Sequence, residues 1–167
     1  MSYDDSRAMS IAGVLAGAAV GAAAGAVAVW VMDRVDWFAY DHVPEEAKQQ
    51  TLAARPKGID PAHVMVEKMA GTTGTGTSQP HLAGIAAHYL LGVAPGAVYG
   101  ALHEKMPGLS MGRGSMFGLG LFLMQDEGLS GRPQEYPWQA HARGLVAHVV
   151  YGVVTDTVVR MFKKALR

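Results

Sequence analysis

The chain has no cysteine. Disulfides, thiolate metal ligation and thiol catalysis are therefore excluded, and any metal or haem would have to be held by His, Asp, Glu or Met. Charge is scarce as well. The 14 basic and 14 acidic side chains cancel, so no net field draws the protein to nucleic acid, and no basic patch interleaved with aromatics is present. No nucleic-acid partner is expected. What stands in place of charge is small and apolar: half of the 167 residues are hydrophobic and 21 are glycine. That balance is too apolar and glycine-rich for an ordinary soluble domain and suits a single membrane domain, 1–167, with the lipid bilayer as its partner.

Four stretches poor in charge mark candidate spans. Ala8 to Met32 is 25 residues without a charge, enough to cross a hydrocarbon layer of roughly 30 Å as a helix. Leu82 to Leu102 supplies 21 residues, Gly114 to Gln125 only 12, and Gly144 to Phe162 another 19, broken by Asp156 and Arg160. The expected spans are about 8–32, 82–104, 112–128 and 141–163; the third is short enough to be a re-entrant or buried piece instead. Arg7 and an Ala-Val-Ala run make the first stretch resemble a signal peptide. Its apolar core is longer than the usual ~7–15 residues, which favours an uncleaved helix.

With four spans both termini share one side, together with Arg7, Lys105, Arg113, Arg160, Lys163, Lys164 and Arg167. Only Arg34, Arg132 and Arg143 stand close to the other face, so positive charge places both termini in the cytoplasm. The opposite side receives an extramembrane helical loop, about 41–80. Pro44-Glu-Glu-Ala-Lys opens like a helix, with acids at its positive end. Asp60-Pro61 is a second start signal, ahead of Ala62 to Ala70, and Gly71 to Ser78 is a turn-rich linker. No Gly-Lys-Ser/Thr follows that linker, so it is not a phosphate-binding loop.

One pattern occurs twice, sixty residues apart: His81-Leu-Ala-Gly84-Ile-Ala-Ala-His88-Tyr-Leu-Leu-Gly92 and His141-Ala-Arg-Gly144-Leu-Val-Ala-His148-Val-Val-Tyr-Gly152. The repeat predicts an all-α, polytopic four-helix bundle built from two similar helical hairpins. Residues four apart share a helix face. Gly13, Gly17, Gly21 and Gly25 therefore form a smooth groove, and Gly84, His88, Gly92, Gly96 and Gly100 form another. A third stripe holds Gly144, His148, Gly152, Asp156 and Arg160, while Gly114, Gly118 and Gly120 offer a small surface in the third segment. Such glycine zippers let membrane helices approach closely. Pro95, mid-span, leaves the Leu91 carbonyl without its helical donor.

At the non-cytoplasmic face the helix ends gather Asp33, Asp36, Asp126, Glu127, His81 and His141, with His88 and His148 roughly 10 Å deeper. Three readings compete for this cluster. It is a set of interfacial caps, with carboxylates on Arg34 and Arg143 and deep histidines hydrogen-bonded across helices. It holds a divalent metal such as zinc, for which imidazole and carboxylate are suitable ligands, although no compact motif such as His-Glu-x-x-His is present. Or His88 and His148 face one another as axial ligands of a haem b. Transport or proton movement is the further use of intramembrane ionisable groups. Asp156 and Arg160 make an i,i+4 pair. Tyr89, Tyr99 and Tyr151 are available to bond the histidines or to sit at the interfaces, and Trp30, Trp37, Trp138, Tyr40 and Tyr136 are expected to form an aromatic belt. Ser110 and Ser115 lie at the other face, away from a base, so no catalytic residue is assigned and enzyme chemistry has little support.

Val31-Met-Asp-Arg-Val-Asp-Trp at the first exit and Tyr136-Pro-Trp-Gln-Ala-His-Ala-Arg-Gly-Leu-Val-Ala-His-Val-Val-Tyr-Gly at the last entry resemble a group of small bacterial inner-membrane proteins of unknown function, broadly YagU-like. The resemblance implies a four-helix inner-membrane protein and carries over no catalytic or binding residues. The expected role is a structural or accessory subunit, as a homo-oligomer or within a larger membrane-protein complex. The alternative is a metal- or haem-binding or transport protein using the His/Asp cluster.

Overall fold

The protein is described here by a computed structural model, which covers residues 11–55, 66, 82–129 and 133–165. Five α-helices account for most of these residues, with no strand among them: α1 (Ile11–Asp41), α2 (Glu45–Ala54), α3 (Leu82–Leu102), α4 (Ser115–Phe122) and α5 (Trp138–Ala165). Three of them, α1, α3 and α5, are long and apolar enough to cross a membrane. Their 31, 21 and 28 residues reach roughly 46, 31 and 42 Å, against about 30 Å of hydrocarbon.

The third expected span, 112–128, has a different build. A 3-10 turn begins at Pro107, left-handed geometry at Gly112 and Arg113 (φ 59° and 56°) reverses the chain, and α4 then runs for eight residues. A π-helical turn, Leu123–Leu129, follows directly. Gly114 sits at the junction because no other residue fits twice over: its φ is +86°, and a Cβ there would strike the Gly152 carbonyl. The first helix also outruns its expected end at Met32, continuing to Asp41. Pro44 is the N-cap of α2. The predicted second loop helix (Ala62–Ala70) and the Gly71–Ser78 linker fall outside the described residues, apart from Val66.

Backbone meets backbone between α1 and α3. Cβ atoms added at Gly17 and Gly25 would lie 2.6 and 2.8 Å from the carbonyl oxygens of Gly100 and Gly92, and one at Gly21 would lie 2.8 Å from the Gly100 Cα. Rising numbers on one helix meet falling numbers on the other, so the pair is antiparallel. A second antiparallel seam joins α4 to α5: a Cβ at Gly118 would lie 3.0 Å from the Val149 Cα, and one at Gly152 would lie 2.7 Å from the Gly118 nitrogen. Between the seams α1 packs on α5 through side chains, Ala28 and Val29 meeting Leu121 and Tyr151 in one cluster, Ala24 meeting Tyr99 and Val159 in another. Not every glycine of the stripes is used: a Cβ at Gly120 would meet open space.

The seams predict a position-dependent cost. Gly21→Ala is expected to destabilise the protein by about 1–3 kcal/mol through overpacking against α3, whereas Gly120→Ala changes stability by less than about 0.5 kcal/mol. Reversible unfolding of both variants in detergent measures the difference.

Candidate functional site

The antiparallel seams bring the end of α1, the start of α3, the π turn and the start of α5 to one end of the bundle. Six of the eight predicted cluster residues form carboxylate–imidazole pairs there. The His88 Nε2 is 2.9 Å from Asp33 Oδ1, and the His141 Nδ1 is 2.6 Å from Glu127 Oε1. The third pair, His148 Nδ1 and Asp126 Oδ2, is looser at 3.6 Å. Asp36 accepts from Arg143 at 2.9 Å, and that guanidinium lies over the Tyr40 ring. His81 falls outside the described residues.

The pairs stay separate. Among the described residues no three His, Asp or Glu side chains are grouped to hold a metal ion. Nor do His88 and His148 face one another: His88 is held by Asp33 on α1, while His148 is turned towards Gly144 and the π turn. Two further expectations are corrected. Arg34 lies over the Trp30 and Trp37 rings, 4.8 and 4.9 Å from their centroids. Tyr151 and Tyr99 bond neither histidine. The Tyr151 hydroxyl donates to the Gly92 carbonyl at 2.5 Å, and Tyr99 donates to Asp156. Gly144 is not part of the backbone seam either, since the space of its missing Cβ is taken by the Asp126 carboxylate.

His148 is the most enclosed member of the cluster, 4% exposed, and its partners follow from a defect elsewhere. Pro95 cannot donate to the Leu91 carbonyl. The Gln125 Nε2 donates there instead, at 3.3 Å, which repairs the gap in α3 from the π turn. With the Gln125 amide nitrogen so committed, its Oε1 faces the His148 Nε2 at 3.4 Å and can only accept. The other ring nitrogen is 2.9 Å from the Gly144 carbonyl. His148 therefore has an oxygen beside each ring nitrogen, with the Asp126 carboxylate close by.

The opposite end holds a second polar group. Asp156, 1% exposed, accepts from Tyr99 and, at 2.7 Å, from the Arg160 Nε. With its proton on Asp156, the Tyr99 oxygen accepts from Ser110 at 3.0 Å. Lys163 donates to Glu104 at 2.6 Å and to the His103 Nε2 at 3.1 Å. Burial, followed by the Lys163 charge, holds the His103 pKa below the ordinary 6.5.

No family model, curated protein or solved structure matches the chain.

Gln125, Tyr99 and Ser110 escaped sequence reasoning as members of these groups, and a usable signal existed for the first. The spacing Gly21-x3-Gly25-x7-Asp33 recurs as Gly114-x3-Gly118-x7-Asp126, which pairs Asp126 with His148 as Asp33 pairs with His88. It also makes Gln125 the counterpart of Met32, a polar residue where the first hairpin has an apolar one.

Two measurements check these assignments. Gln125→Leu leaves the Leu91 carbonyl without a donor and should cost about 1–3 kcal/mol; adding Pro95→Ala returns the backbone donor and should recover part of that loss in a double-mutant cycle. For His103, a folded pKa below the unfolded one favours the neutral ring. Its contribution is complete above pH ~6.5 and is lost as pH falls from there through the folded value, so His103→Gln should flatten the decline in stability below pH ~6.5.

Proposed function

We propose that the chain is a small integral membrane protein of four membrane-embedded segments in two similar hairpins, acting as a structural or accessory subunit of a membrane assembly. One observation carries the reading. The carboxylates within the apolar helical body, Asp33, Asp126 and Asp156, each face a side chain of another segment: His88, His148 and Tyr99. Unpaired polar groups are costly in hydrocarbon, and partners on different segments turn that cost into a reason for the helices to stay together. The short third segment, capped by its π turn, takes the place of a fourth full span.

The outer faces support association. Leu15, Val27, Leu90 and Val98 are exposed large apolar residues on α1 and α3, available to lipid, to a second copy or to a larger host. The location is the bacterial inner membrane with both termini cytoplasmic, on the strength of the positive-residue bias and the resemblance in sequence. Metal or haem binding, or transport, is the second reading. It is favoured by the His88–Asp33 pair, an imidazole and a carboxylate 2.9 Å apart at that end of the bundle.

Light scattering of protein extracted in mild detergent is expected to give a mass larger than one chain, and Leu90→Arg with Val98→Arg should reduce it to the monomer without lowering thermal stability. A monomer in native extracts contradicts the subunit role. Stoichiometric zinc or a Soret band, lost on changing His88, transfers the assignment to the second reading.

A further inference from the structure

A cleft of about 400 Å³ opens at the end of the bundle away from His88, His141 and His148, lined by His103, Glu104, Ser110, Arg160, Lys163 and Lys164 among others. It lies where α3 ends, where the chain turns at Pro107, and beside the last two turns of α5. Its charge is unbalanced. Arg160 and Lys163 are paired to Asp156 and Glu104, but Lys164 has no ion-pair partner among the described residues. Lys163 already divides its protons between Glu104 and the His103 Nε2, so an incoming anion meets donors that are only partly spent. Ser110 donates to Tyr99, which leaves the cations as the donors facing the cleft.

The surroundings narrow the class of anion. Met106, Met111, Met161 and Phe162 are exposed and stand next in sequence to the lining residues. Cationic groups therefore sit at the depth where the apolar surface of α3 and α5 stops, and phosphate there would have hydrocarbon alongside it. We propose that this cleft binds a phosphate group, held by Lys163, Lys164 and Arg160 as charge-assisted donors. A phospholipid headgroup, its acyl chains against Met161 and Phe162, and a free phosphate share that chemistry.

The full chain in detergent is titrated with short-chain phosphatidylglycerol, with short-chain phosphatidylcholine and with inorganic phosphate, reading the thermal midpoint and the bound mass by native mass spectrometry. The expected result is a saturable rise in midpoint with one bound phosphatidylglycerol, and a loss of affinity of at least tenfold in Lys164→Gln and in Lys163→Gln. Lys105→Gln, a cation of the same face outside the cleft, should leave the affinity unchanged. Binding of inorganic phosphate with the same dependence on Lys163 and Lys164 assigns the site to a free anion. Equal effects of Lys105→Gln and Lys164→Gln, or no saturable binding of either phosphate source, overturn the proposal. Arg160→Gln is not used because it also unpairs the buried Asp156.

Discussion

The rest of the architecture depends on the approach of two backbones. Inside a bilayer no water is released when helices meet, so association rests on close packing and on hydrogen bonds between helices. Gly17, Gly21 and Gly25 lie directly on Gly92, Gly96 and Gly100, where even a methyl group would collide with a carbonyl. Register follows from that contact, and the polar pairing follows from register. A slip of one turn between α1 and α3 would carry Asp33 away from His88 by about 6 Å and break their pair.

The second hairpin uses the same device with less regularity, and its irregularity is where the chemistry collects. α4 is only eight residues long, and the π turn after it carries Gln125, Asp126 and Glu127. All three side chains engage another element: Gln125 the Leu91 carbonyl, Asp126 and Glu127 the histidines of α5. An α-helix would spread three consecutive side chains about 100° apart around its axis, whereas wider winding alters which neighbours they reach. Pro95 and the π turn are thus complementary faults, one removing a donor and the other supplying it. This bond is one of those that link the two hairpins, with Tyr151 to Gly92, Tyr99 to Asp156 and Arg143 to Asp36.

Much of this is legible in the amino-acid sequence. The glycine period of four identified the seams, and the uncharged runs located α1, α3 and α5. The individual bonds were less accessible. A count of uncharged residues does not distinguish a short α-helix from one prolonged by a π turn, so the third segment could be located without its shape. Asp156 could be paired with Arg160 by local spacing, but Tyr99 lies 57 positions away and shares no periodic signal with it. Gln125 could be inferred by asking which donor reaches the carbonyl that Pro95 abandons, or from the repeated Gly-x3-Gly-x7-Asp spacing that makes it the counterpart of Met32. The likeness of His88 to His148 invited a shared ligand, whereas each ring is taken by the carboxyl side of its own hairpin.

The absence of cysteine makes the central claim, the register of α1 on α3, directly measurable. A Cβ at Gly92 would lie 3.2 Å from the Val29 Cβ, a few tenths of an ångström short of the ~3.5–4.5 Å typical of disulfides. The measurement is oxidative cross-linking of Val29→Cys/Gly92→Cys in native membranes, read as mass after proteolysis, with Val29→Cys/Gly96→Cys as the one-turn alternative. The glycine seam predicts an intramolecular disulfide in the first pair and little in the second. A disulfide that forms preferentially in the second pair contradicts the register and, with it, the pairing of Asp33 to His88.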